Sequence, residues 1–588
     1  MRHAAGWFPI LPAIFLFSCT AQPVIRQNNP DTPVPAVSET VPQSRGMPAI
    51  PSTESSGPPP MPPNQPAAGG TGRLADEIRS LVYGGIPSAL LKALEIIRTQ
   101  NLSSGEFGRT MNAIIVYLLQ RLYPDIQGQF PAAVLPQTAV YMKILQGVDK
   151  GIYTAPPQNG DYLEYVLPFL ALIKDADPER LTESLPHLEK AVALYPNGVI
   201  PRYFIGFVYE NSGRFAEART AYSETLSISK ECYPAALGLA RLLEGEGLYQ
   251  DEARLLSDAL MLFPDNMNIK RRLATAYYKM EDWSRAGGAI AEILQRNNRE
   301  GNFLLMYAHA LIEQKQFTQA QGQLDAYAII NTNNPQYLFL RARVQAEGFR
   351  NRDAALNYLH ALRNAPVVTD ESMVYMAKLL LESDRKEEQA EGRTVLTELI
   401  GKENPSLTVI ELAATDAIRR EAWDEALPYM QRLLDERRSS ADLMNAYTVA
   451  HGQSNNAAAL AYARELFQKE PSRTDATLVY IAALIDTGRT TDAAALIDAR
   501  INATPTGTVR ARYYYLRSRT RSSDEARLDD LRSSLFEDPR NLQSLIAMFE
   551  YYHRQGDRRA LYYLKQALAI TPDNPQLKRY EKEYAISP

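Results

Sequence analysis

The sequence is poor in the residues that build metal and redox centres. Its 588 residues include two cysteines, Cys19 and Cys232, and six histidines. Two cysteines cannot make a disulfide framework or a four-cysteine zinc or iron–sulfur site. His187, His309, His360, His451 and His553 lie far apart, which argues against a histidine-rich metal site. No charge of one sign dominates: 63 Lys and Arg face 68 Asp and Glu, for a net charge of −5. That balance gives no ground for expecting a nucleic-acid binder. Long Val, Ile and Thr runs with period-two alternation are missing, which excludes an extensive sheet. HExxH, GxSxG, GxxxxGK[ST] and CxxC are missing too. A non-enzyme with no cofactor and no metal is therefore expected. The 45% hydrophobic and 22% charged residues are ample for a folded chain. The length is about four times a common domain size, so it holds several domains or one repeat array.

The first residues read as an address. Arg2 and His3 precede Trp7 to Ser18, a run without charge that is too short to span a bilayer but suits a secretory apolar region. The run ends Leu16-Phe17-Ser18-Cys19. This resembles the lipobox of bacterial lipoproteins, although Phe17 departs from the usual small or β-branched choice. The resemblance implies a signal peptide over 1–18, cleavage before Cys19 and lipidation of its thiol. Two or more acyl chains anchor durably where one does not. A lipid anchor in the cell membrane or outer membrane follows, with the body in the periplasm or at the cell surface.

Residues 19–72 follow as a tether. Between Thr20 and Gly72 there are thirteen prolines and few large apolar residues. Such a segment has no core to bury and is expected to be disordered and partly polyproline II. Its reach is about 40 Å as a flexible coil. The glycines at 69, 70 and 72 lack the Gly-Lys-Ser/Thr that a phosphate loop needs.

From Arg73 the apolar residues recur at helical spacing. Gly206, Ala240, Ala274, Ala308 and Ala342 are each 34 residues apart. A second ladder holds Ala218, Ala286, Ala320 and Ala354, with Glu252–Ala253 at the missing rung. Ala426, Ala459, Ala493, Ala526 and Ala560 continue it at intervals of 33 or 34. Aromatics stand before the second helix at Phe215, Trp283, Phe317 and Trp423, and prolines such as Pro196, Pro264, Pro366 and Pro572 mark unit ends. These residues resemble the tetratricopeptide repeat. The resemblance implies an all-α, right-handed superhelical solenoid of antiparallel helix pairs, with small side chains where the two helices cross. Ala354 is expected at such a crossing. The expected layout is an N-terminal helical cap over 73–164, about twelve repeats over 165–574 and a C-terminal capping helix over 575–588. The unit near 165 lacks a first-helix signature, and those near 371 and 507 fit loosely. Cys232, at a unit junction, is read as packing.

In the resembled family a concave groove lined by first helices binds peptide segments. Its positions project here onto Tyr203, Phe207, Arg241, Arg271, Tyr278, His309, Phe339, Arg343 and Tyr375. Arg510, Arg512, Arg517, Arg519 and Arg521, interleaved with Tyr513 to Tyr515, form a second candidate, a basic patch for an anionic partner. The export signal argues against nucleic acid there. The resemblances together imply a non-catalytic, lipid-anchored envelope scaffold that binds other envelope proteins, within an assembly or secretion complex. The alternative is an accessory protein of an envelope transport system that holds a small molecule or glycan in the groove.

Overall fold

A computed structural model describes residues 71–126, 141–173, 178–365 and 367–586. Cys19, nearly all of the tether and Pro366 lie outside the described residues. Twenty-nine α-helices and no strand occur among the described residues. They fall into two compact units, one ending at Val367 and the other running from Val368.

The first unit begins with helices Thr71–Gly84, Pro87–Thr99 and Glu106–Leu122. The third of these is buried along most of its length, from Thr110 to Leu122. Near 165 a five-residue helix, Tyr162–Val166, tightens into a 3-10 turn over Leu167–Ala171 before the long helix Pro178–Leu194. Asp161 starts it through a capping box with Glu164. Pro168 lacks a backbone N–H to donate into an α-helix, in keeping with the weak helical signature at this place. Five regular pairs follow: Val199–Asn211 with Phe215–Ile228, Tyr233–Gly245 with Tyr249–Leu262, Met267–Lys279 with Trp283–Arg296, Gly301–Glu313 with Phe317–Ala328, and Pro335–Arg343 with Arg352–Arg363.

The second unit repeats the pattern six times. Its pairs are Asp370–Leu381 with Lys386–Ile400, Leu407–Arg419 with Trp423–Glu436, Ser440–Gly452 with Asn456–Lys469, Thr474–Asp486 with Thr490–Ala503, Thr508–Ser518 with Asp524–Glu537, and Leu542–Arg554 with Arg559–Ile570. Pro575–Ile586 closes it. Neighbouring helices pack against each other within each unit.

The pairs form for local reasons. In most pairs the turn between the helices places one residue in the left-handed region, as at Gly213 and Gly247 (φ 73° each) and at Glu281 and Lys315 in the next two pairs. Small residues then let the helices approach. Ala240, Ala274, Ala308, Ala342, Ala218, Ala286 and Ala320 are all fully buried. Gly206 and Gly238 hold the Tyr222 ring between them: a Cβ would lie 2.6 Å from it at Gly206 and 2.5 Å at Gly238. The aromatic that opens a second helix docks on the following units in the same way. Phe317 covers Gly348, and Trp423 covers Gly452. Phe215 does not follow the rule and stays exposed.

Two rungs are displaced. Ala354 is only half-buried, and Ala355 takes the buried place at 0% exposure. The cause is a π-helical turn over Val344–Gly348, which inserts a residue before the second helix. The left-handed turn residue moves with it, to Arg350. Ala526, near the start of the helix Asp524–Glu537, is also half-buried.

Candidate functional site

The first helices of the unit ending at Val367 present most of the groove candidates, and the structure sorts them into three kinds. Tyr203 is core. It is 8% exposed and packs on Phe204 and Tyr222, with ring centroids 5.3 and 6.1 Å away. Packing is the role this placement gives it. Phe207, Tyr278, His309 and Phe339 are half-buried on their helices. Tyr375, also half-buried, belongs to the other unit.

The arginines form the third kind, and each is held by a carboxylate of the chain. Arg241 donates twice to Glu210, at 2.6 and 2.8 Å. Glu210 also accepts from the Tyr222 hydroxyl at 2.6 Å. Arg271 donates twice to Glu300, at 3.0 and 2.8 Å. Arg343 lies between Glu313 and Glu347, at 2.7 and 2.8 Å. The Tyr278 hydroxyl is 2.6 Å from His309 Nδ1, and His309 Nε2 is 3.3 Å from Glu313. A polar chain therefore runs from Tyr278 through His309 and Glu313 to Arg343, across three successive first helices. Trp283 packs beside it, its ring 5.5 Å from Tyr278 and 5.3 Å from His309.

The carboxylates were not singled out in the sequence. A signal was present: Glu210 precedes Arg241, and Glu313 precedes Arg343, by about one repeat length. Opposite charges at that spacing, near the ends and middles of consecutive first helices, are placed to meet.

The basic patch is not a free cationic surface. Arg517 is shared by Asp530 at 2.6 Å and Asp498 at 3.0 Å. Arg521 also pairs with Asp530, at 2.8 Å. Arg519 pairs with Asp486 at 2.7 Å, and Arg510 lies 3.1 Å from Glu537 with its guanidinium over the Tyr514 ring. Only Arg512 points outward as an exposed residue without such a pair among the described residues. Asp530 and Glu537 on the paired second helix and Asp486 and Asp498 on the preceding helix pair neutralise the rest.

Two buried groups stand out chemically. Cys232 is 2% exposed, and burial pushes its thiol up to about 11, so it is packed and poorly nucleophilic. Glu252 is 2% exposed on the alanine ladder. Burial pushes its carboxyl up to about 7, with Arg272 pulling it down and Glu244 pushing it further up. Arg272 donates to Glu244 at 2.6 Å and more weakly to Glu252 at 3.2 Å. No group of three or more His, Cys, Asp or Glu placed to hold a metal ion occurs among the described residues.

Tetratricopeptide repeat models match residues 208–266 and 450–519, one segment in each unit. These two segments carry tetratricopeptide repeats. No curated protein matches the sequence. Among solved structures, a tetratricopeptide repeat protein from Parabacteroides merdae is 13% identical with a TM-score of 0.36, covering 46% of this chain and 99% of that one. Pseudomonas aeruginosa pilF is 18% identical with a TM-score of 0.31, covering 40% of this chain and 99% of that one. Yeast Tom70 is 13% identical with a TM-score of 0.30, covering 72% of this chain and 96% of that one. At these scores the likenesses say nothing about partners. Tetratricopeptide repeats are protein-interaction modules as a class, and first-helix faces are their usual contact surface.

Proposed function

We propose that the protein is a non-catalytic scaffold of the bacterial cell envelope, anchored by lipid at Cys19, that holds other proteins through its first-helix faces within an assembly or secretion complex. The observation that carries the binding half is the row of half-buried aromatic side chains, Phe207, Tyr278 and Phe339, on first helices of a unit that contains tetratricopeptide repeats. Rings offer large contact area with few rotors to freeze, which is why they concentrate the energy of protein interfaces. The anchoring half rests on Leu16-Phe17-Ser18-Cys19 and on the proline-rich stretch after it, which would let the body stand off the membrane.

Crosslinking in intact cells, followed by solubilisation and mass spectrometry, tests the first half. Partner proteins should be recovered with the native chain and lost with Tyr278→Ala. A partner set unchanged by that substitution would remove the face from the argument. Cys19→Ala should release the chain from membranes, and continued tight association would refute the anchor.

A further inference from the structure

In the unit ending at Val367, the helices that close successive pairs stop in step. Pro178–Leu194, Phe215–Ile228, Tyr249–Leu262 and Trp283–Arg296 end 34 residues apart. Leu194, Ile228 and Leu262 are the last residues of the first three. Ile330 stands at the same spacing from Arg296, just past the helix Phe317–Ala328. All four of these apolar residues are exposed. Met261 and Ile329, each one residue earlier, are 75% and 89% exposed. Polar or basic side chains are the ordinary choice at a helix C-terminus, where carbonyls meet water. Apolar side chains repeated there instead would gain by leaving water.

The turns that follow these ends carry five charged residues, Lys230, Glu231, Asp265, Arg299 and Glu300. Glu231 accepts from the Ser88 N–H and hydroxyl, at 3.0 and 2.9 Å. Asp265 pairs with Arg296 at 2.5 Å, and Glu300 with Arg271. The acids are therefore held by the chain. Lys230 and Arg299 are exposed.

The chain also enters the body at this edge. At the end of the helix Thr71–Gly84, the Tyr83 ring lies 5.7 Å from Tyr195, in the turn after Leu194. Ser88 reaches Glu231, in the turn after Ile228. Thr71 lies about 20 Å back along that helix. Residues 20–70 connect it to Cys19. A tether that lets the body stand off a membrane also lets this edge return to it. The tether sets an effective concentration, so a weak contact suffices.

Resting on the lipid-anchor reading above, we propose that this edge settles on the bilayer that holds the anchor. The apolar helix ends enter the head-group boundary to a depth of about 5–10 Å. Lys230 and Arg299 keep their charged heads in water beside them. Single side chains at the ends of separate helices, with polar turns between them, suit a fluid apolar phase that needs no matching shape.

Met261→Cys and Ile329→Cys, placed one at a time in the full chain and labelled with nitrobenzoxadiazole, test this. Both sites are exposed enough for a label to leave the packing alone. Lys279→Cys, at the far end of a first helix, is the comparison, and the native chain with its buried Cys232 is the blank. Each chain, purified with its Cys19 lipid, is reconstituted in vesicles of phosphatidylcholine and phosphatidylglycerol. The two edge probes should shift their emission to the blue and lose intensity to doxyl-labelled lipid, and the Lys279→Cys probe should do neither. Adding Leu262→Glu should reduce the quenching of the Met261→Cys probe. A blue shift without doxyl quenching would mean that a second copy or another protein covers the edge, and would overturn the proposal. Edge probes that emit as in water on an anchored chain would overturn it too, leaving the anchor in place. A chain whose Cys19 carries no lipid by mass spectrometry would refute the anchor and this proposal with it.

Discussion

Glu252 offers a sharp test of how charge is built into this fold. It occupies a rung where Ala218, Ala286 and Ala320 stand in other pairs, and it is as buried as they are. An ionised carboxylate there loses its water, and Arg272 compensates only in part because its shorter hydrogen bond goes to Glu244. The carboxyl is accordingly pushed from 4.5 up to about 7. The sign follows from linkage: the folded chain keeps a proton that the unfolded chain releases, so stability is highest below about 4.5 and falls as pH rises through about 7. The full difference is about 3 kcal/mol, taking 1.36 kcal/mol for each tenfold change in proton affinity.

Glu252→Gln keeps the shape and removes the titration. It should match the native chain near pH 4.5 and exceed it by up to about 3 kcal/mol near pH 8. Repeat proteins open locally, so global melting is a blunt probe. Hydrogen exchange, corrected for intrinsic rates, should be followed instead in Tyr233–Gly245, Tyr249–Leu262 and Met267–Lys279. Comparing the two chains at each pH cancels the carboxylates that titrate the other way, among them Glu300, which Arg271 holds low. A difference that stays flat with pH, or a native chain that gains on the variant above pH 7, would refute the reasoning. Either result would mean that Arg272 holds the ionised form.

Three more outcomes are expected. Ala355→Leu should destabilise its helix pair by about 1–3 kcal/mol through overpacking, and Ala354→Leu should cost distinctly less; equal effects in denaturant titrations would contradict the π-turn displacement. Gly238→Ala forces a methyl into the buried Tyr222 ring, where the sandwiching glycine on the other face blocks retreat; a loss of about 1–3 kcal/mol is expected, relieved in the double variant with Tyr222→Leu. Cys232 should resist a maleimide at neutral pH until the chain is denatured, and rapid labelling of the native protein would show that its burial does not protect it.

The helical class and the pairing of helices were legible because they depend on features that repeat. A small residue at a crossing is a local demand, and Ala240, Ala274 and Ala308 satisfy it at one spacing in one helix after another. The departures were hidden because their causes are not periodic. The π turn at Val344–Gly348 leaves the 34-residue spacing of Ala342 intact and shifts only what comes after it, so Ala354 carried the right spacing and the wrong burial. The surroundings of the groove candidates were hidden for a different reason. Projecting positions from one repeat treats each side chain alone, whereas Arg241, Arg343, Arg510, Arg517, Arg519 and Arg521 are defined by carboxylates on other helices. Tyr203 is defined by rings on its own and the paired helix. A residue type at a groove position gives the chemistry available there; the neighbouring unit decides whether that chemistry faces a partner or is closed within the chain. For a repeat protein, the unit of inference about binding is therefore the pair of adjacent repeats, and the charge that matters on its face is what remains after each arginine has been matched with the acid about one repeat away.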